Sequence, residues 1–184
     1  MIPRRLFAPL LALSLLGLSL GPLPAPAETP TKLSEPARWL QDYLRIDTTN
    51  PPGREHLAAS FLAGILHREG IPTRLLVSPQ GRTSLWARLS SPASKKNGGR
   101  AIVLLHHMDV VPAGPGWTAR PFAGEIRDGR LWGRGAVDDK SLGIAQLAAF
   151  IDLKRRGVPL ERDVIYLAVA DEENGGGQGV GWIM

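Results

Sequence analysis

Three short clusters in this sequence carry the side chains that hydrolytic or metal chemistry uses. They are His106-His107-Met108-Asp109-Val110-Val111-Pro112, Gly133-Arg134-Gly135-Ala136-Val137-Asp138-Asp139-Lys140 and Asp171-Glu172-Glu173-Asn174-Gly175. The first and third each follow an unbroken apolar run, residues 101–105 and 164–170, and the second leads into a helical pattern. In an extended segment residues two apart share a face, so His107 and Asp109 point one way and His106 the other. A carboxylate beside a histidine can fix its tautomer and orient it toward a metal. Taken singly, each cluster also has a plain structural reading. His107 is then a satisfied core histidine, Asp109 a turn carboxylate, Asp138 a helix N-cap, and Glu172 and Glu173 a solvated acidic turn. Two adjacent glutamates straight after a buried strand are nevertheless costly unless a cation or a water reaction uses them. Together the three clusters outweigh their separate structural readings.

The elements that must position these clusters are legible in outline. Ser34 is placed to cap a helix with Pro36 in its first turn and Ala37, Leu40, Tyr43 and Leu44 at helical spacing, which stops near the Asn50-Pro51-Pro52-Gly53 turn. A second helix carries Leu57, Phe61, Leu62, Ile65 and Leu66 and stops at Gly70. Strands follow around residues 73–77 and 85–89, then a Ser-, Lys- and Gly-rich loop over 91–99. The run over 101–105 suits a strand buried on both faces. Asp128-Gly129, between Gly124-Glu125-Ile126 and Leu131-Trp132-Gly133, signals a hairpin. From about Lys140, Ile144, Leu147, Ala148 and Ile151 mark a helix that ends at Gly157, and the run over 164–170 is a second central strand. Strand, helix, strand in this order indicates an α/β fold with a mostly parallel central sheet flanked by helices. In such sheets ligands bind beyond the carboxyl ends of the strands, where the first and third clusters stand.

Composition bounds the rest. Arg4 and Arg5 precede a leucine-rich run over residues 6–20 that ends in Pro24-Ala25-Pro26-Ala27, the order of a secretory signal peptide cleaved after Ala27. The expected organisation is therefore a signal peptide over 1–27, a mature chain from 28 to 184, and a secreted or periplasmic location. Cleavage removes two arginines and no acid from 22 basic and 17 acidic residues, leaving a mild net charge of +3. The arginines are scattered, which argues against nucleic acid, and no second apolar run is long enough to span a bilayer. With no cysteine in the chain, disulfides and thiolate zinc sites are excluded, so any metal is held by His, Asp and Glu. Neither glycine-rich stretch completes a dinucleotide or P-loop motif.

From about Ser34 to Met184 the sequence resembles the di-zinc metallopeptidases of family twenty, which include carboxypeptidase G, carboxypeptidase S, acetylornithine deacetylase, succinyl-diaminopimelate desuccinylase and aminoacylase. The resemblance is carried by HHMDVVP, by GWTARPFAGEIRDGRLWGRGAVDDK and by DEENGG, in that order. It implies a zinc-exopeptidase-like catalytic domain in which His107 binds one zinc, Asp109 orients it, Asp138 bridges both ions, Glu173 binds the other and Glu172 is the general base. It also implies a cis peptide bond at Asp138-Asp139. The implied activity is hydrolysis of a small peptide or N-acyl-amino-acid amide bond, with two zinc ions, or cobalt in their place. The family's site needs a further carboxylate and a second histidine later than DEENGG, and residue 184 comes eleven positions after Glu173. The expectation is thus an N-terminal part of the catalytic domain, weakly active or inactive alone, with any homodimer formed through an inserted domain not in this sequence. The competing readings are a related di-zinc aminopeptidase and a non-catalytic secreted metal-binding or interaction remnant.

Overall fold

The computed structural model describes residues 32–96 and 98–184. The signal-peptide segment over 1–27 lies outside the described residues. The order is α1 (Glu35–Leu44), α2 (Glu55–Arg68), β1 (Thr73–Val77), β2 (Thr83–Leu89), β3 (Ile102–His107), β4 (Glu125–Arg127), β5 (Arg130–Trp132), α3 (Lys140–Arg155), β6 (Val164–Val169), a 3-10 turn (Glu172–Asn174) and α4 (Val180–Ile183). Ser34 caps α1, its hydroxyl accepting from the Ala37 N–H at 3.3 Å. In the β4–β5 hairpin both turn residues, Asp128 and Gly129, have positive φ, as a two-residue primed turn requires.

The four-stranded sheet runs β1-β2-β6-β3. The α/β class and the central place of β6 agree with the sequence pattern, but the pairing is mixed rather than mostly parallel. Only β3 and β6, joined through α3, are parallel. The β1–β2 ladder is antiparallel because a short connection over residues 78–82 turns the chain straight back, and the β2–β6 ladder is antiparallel as well. The expectation that the 101–105 run is buried on both faces also fails: Ile102, Val103 and Leu105 are 40–52% exposed. Among the described residues β3 is an edge strand, and one core cluster gathers α1, α2 and α3 on a single face of the sheet.

That core interleaves Tyr43, Leu62 and Leu66 with Leu85, Ile144, Leu147, Phe150 and Tyr166. His106 belongs to it, with no exposed surface and its ring 5.4 Å from Tyr166 and 6.3 Å from Tyr43. Burial pushes its pKa down to about 3, so the imidazole stays neutral. Helix α3 can lie this close only because residue 143 is glycine: a Cβ there would sit 2.3 Å from the His106 ring.

Replacing an interior helix glycine by alanine ordinarily gains about 1 kcal/mol. Here Gly143→Ala should instead lower stability by about 1–3 kcal/mol through overpacking against His106. The measurement is the urea unfolding midpoint, and a midpoint above wild type contradicts the packing described.

Candidate metal centre

Parallel pairing puts His107 beside Val169 and brings the ends of β3 and β6 together. The Met108 N–H donates to the Val169 carbonyl at 2.8 Å, extending the ladder past the strand end. From there the two chains diverge into the first and third clusters. Residues 48–50 run alongside 108–110, with Thr48 Oγ1 on the Met108 carbonyl at 2.6 Å and the Asn50 N–H on the Val110 carbonyl at 2.9 Å.

The Asp109 carboxylate has no exposed surface and closes the junction. Oδ1 accepts from the Glu172 N–H at 3.1 Å; Oδ2 accepts from the Glu173 N–H at 3.0 Å and from Asn50 Nδ2 at 2.7 Å. The expected orientation of His107 by Asp109 is therefore made mainly through the main chain. His107 Nδ1 lies 3.0 Å from the Asp109 carbonyl oxygen and 3.7 Å from the carboxylate. The reason is that the carboxylate is already occupied by three donors.

Asp138 enters from the loop between β5 and α3. The peptide Asp138-Asp139 is cis, as the family resemblance implied. Asp138 is not the helix cap; Asp139 holds that position and makes no capping bond with its side chain. Instead Asp138 Oδ1 lies 2.9 Å from His107 Nε2. The side chains of His107, Asp138 and Glu173 bring one ligand atom each to within 4.8 Å of one another, the one group of three or more metal-binding types among the described residues. Glu172 stands beside it, Oε2 3.7 Å from His107 Nε2, with its side chain more than half exposed. All five residues singled out from sequence thus converge on one site, while His56 and His67 stay away from it, His67 bonding Thr73 Oγ1 at 2.8 Å.

The proton arrangement tests whether a cation fits. A carbonyl oxygen only accepts, so Nδ1 of His107 carries a proton and Nε2 is the free ligand atom. For Nε2 to bond the Asp138 carboxylate it must hold a second proton. Burial lowers the His107 pKa, but the Asp138 hydrogen bond, the Asp109 carbonyl and the nearby Asp109 and Glu172 charges outweigh it and raise the pKa. Glu173 is raised as well, by burial first, although the Val111 N–H bonds its carboxylate. A buried neutral imidazole nitrogen facing two carboxylates suits zinc, and the ion would replace the Nε2 proton.

Four polar residues that the sequence pattern did not assign lie directly beneath. Asp171, 3% exposed and at φ 67°, accepts from Arg82 Nη1 at 2.8 Å and from the Gln178 N–H at 2.9 Å. Arg82 also pairs with Glu55, which is 1% exposed. Asn50 reaches both Asp109 and, at 3.4 Å, Asp171. Only the Asn-Pro-Pro-Gly turn and the position of Asp171 at a strand end hinted at them; an arginine in a loop carries no such signal.

A family profile described as Peptidase family M20/M25/M40 matches residues 103–184. The chain is 37% identical over 141 residues to the succinyl-diaminopimelate desuccinylase of Cereibacter sphaeroides (strain ATCC 17025 / ATH 2.4.3), covering 76% of this chain and 35% of that protein. Among solved structures it is similar to an M20 family metallo-carboxypeptidase, Sso-CP2, from Sulfolobus solfataricus, at TM-score 0.68 and 25% identity over 78% of this chain and 32% of that one. It shares the fold of human carnosine dipeptidase 1, at TM-score 0.64 and 24% identity over 78% and 33%. The chain spans about a third of the length of the curated relatives it matches.

In the metal-free protein His107 should titrate above its ordinary 6.5. Because the folded-state pKa is raised, His107 adds stability that is complete below pH 6.5 and is lost as pH rises through the folded value. Asp138→Asn should shift the titration down, read from the imidazole resonances by NMR. An unchanged midpoint would show that Asp138 does not hold the proton.

Proposed function

Residues 103–184 place this chain in peptidase family M20/M25/M40, and on that premise we propose that the protein is a zinc-dependent hydrolase of peptide or N-acyl-amino-acid amide bonds. The observation that carries this reading is the convergence of His107, Asp138 and Glu173 on one point with Glu172 alongside. His107 and Glu173 would each hold one zinc and Asp138 both, with cobalt an alternative ion. When bound, such a pair supplies an acidified water and a polarised scissile carbonyl.

The chain's own residues do the remaining work. The Asp109 carbonyl keeps the proton on His107 Nδ1 and so turns Nε2 toward the ion. Asp109 Oδ1 and Oδ2 hold the Glu172 and Glu173 main chains, so the two side chains leave one short turn toward the same place. Glu172, the more exposed of the pair, takes the proton of the attacking water on a carboxylate oxygen and delivers it to the leaving nitrogen. The products are a carboxylate and an amine. Preorganisation explains why base and ligand are sequence neighbours: one pair of hydrogen bonds to the Asp109 carboxylate fixes both.

The leader over residues 1–27 supports export and cleavage after Ala27, and a secreted or periplasmic site of action. Among the described residues no helix is long and apolar enough to cross a membrane.

In a form of the protein that turns over an N-acyl-amino acid, Glu172→Gln should bind zinc with wild-type affinity while hydrolysing that substrate about 10²–10⁴-fold more slowly. His107→Ala should lose the zinc as well. Retained turnover in Glu172→Gln would remove the glutamate from the base role, and cleavage restricted to free amino termini would favour an aminopeptidase. The mature protein should begin at Glu28 on amino-terminal sequencing; a product that keeps Arg4 and Arg5 would contradict cleavage.

A further inference from the structure

Three connecting segments meet under the metal centre, and one side chain touches two of them while closing against the third. Arg82 immediately precedes β2. Its Nη1 bonds Asp171 on the segment after β6 at 2.8 Å, and its Nε bonds Glu55 Oε2, in the first turn of α2, at 3.0 Å. The turn over residues 50–53 presses on the same guanidinium: a Cβ on Gly53 would lie 2.4 Å from Arg82 Nη2. Only a glycine allows that approach, and its φ of 76° is one that side-chain-bearing residues rarely adopt.

We infer that Arg82 is a positioning residue for the site: through Asp171 and Asn50 it fixes the segment that presents Glu172 and Glu173. The inference rests on the metal-hydrolase reading for its purpose, though not for its geometry. Glu55, Asp171 and Asp109 are three carboxylates at 1%, 3% and 0% exposure, packed around a single cation. Buried carboxylates need a charged partner or a full set of donors. Asp109 has three N–H donors, and Asn50 Nδ2 serves Asp109 and Asp171 together. Glu55 and Asp171 depend on Arg82. Asp171 in turn holds the loop from both ends, its carboxylate accepting the Gln178 N–H at 2.9 Å and its carbonyl the Gly176 N–H at 2.6 Å. Its left-handed backbone reverses the chain immediately before Glu172. Without the guanidinium, the Asp171 carboxylate loses the charged side chain that holds it in place, and that reversal is released. The planar fork that reaches two acids at once is a property of arginine; a lysine ammonium can serve one of them well.

The test compares the full chain with Arg82→Gln, Arg82→Lys and Gly53→Ala. In the metal-free protein, amide hydrogen exchange at Glu172, Glu173 and Gln178 should speed up at least about tenfold in Arg82→Gln while amides of β6 keep their protection, the pattern of a local opening. Zinc affinity, from competition with a chelator, should fall about 10–100-fold, the usual size of an effect transmitted through a ligand's support. Arg82→Lys should recover part of both losses. Gly53→Ala, which displaces the guanidinium without removing it, should reproduce them even if Arg82→Gln does not fold. Unaltered exchange at the three amides in Arg82→Gln or, failing that variant, in Gly53→Ala overturns the inference. Zinc binding by the wild-type chain tests the functional reading separately, and the exchange comparison decides the role of Arg82 whether or not zinc is bound.

Discussion

The site depends on one buried carboxylate. Asp109 has no exposed surface, and a carboxylate so placed is tolerated only when its oxygens are satisfied. Its three donors come from two other parts of the chain, Asn50 ahead of α2 and the Glu172 and Glu173 N–H groups after β6. The bonds that offset the burial of Asp109 are the same bonds that bring the base and a metal ligand to His107. Stability and preorganisation therefore share one interaction, and moving any of the three segments would leave a buried charge short of donors.

Topology explains why those segments meet. The parallel β3–β6 pair places two carboxyl-terminal strand ends side by side, the setting in which open α/β sheets bind ligands. The antiparallel β2–β6 pair adds something a wholly parallel sheet would not. With Leu85 opposite Ala168, the start of β2 lies next to the end of β6, so Arg82 arrives beside Asp171. The mixed pairing is thus what brings the guanidinium to the two carboxylates beneath the metal ligands.

The histidine pair shows how finely strand alternation divides labour. His106 faces Tyr43, Tyr166 and Gly143 and is held neutral by burial; His107, one residue on, faces Asp138 and has its pKa raised. The neighbouring imidazoles are pushed in opposite directions because His106 is wholly buried with no carboxylate beside it and His107 meets carboxylates. A one-residue slip in the β3–β6 register would exchange their environments.

Much of this was legible along the chain. The metal-ligand types, their placement after apolar runs, the absence of cysteine, the cap of α1 and the turn of the β4–β5 hairpin are all local properties, set by neighbours within a few residues. Alternation alone separated His107 from His106. Tertiary structure decided what depends on partners far apart in sequence: which strands pair antiparallel, which face of β3 is covered, and that Asp109 supports His107 through its carbonyl while its carboxylate holds residues 63 and 64 positions away. Arg82 belongs to the same class, since its partners Glu55 and Asp171 lie 27 and 89 residues from it. A side chain's type fixes what it can donate or accept, and only the fold decides which buried group needs it.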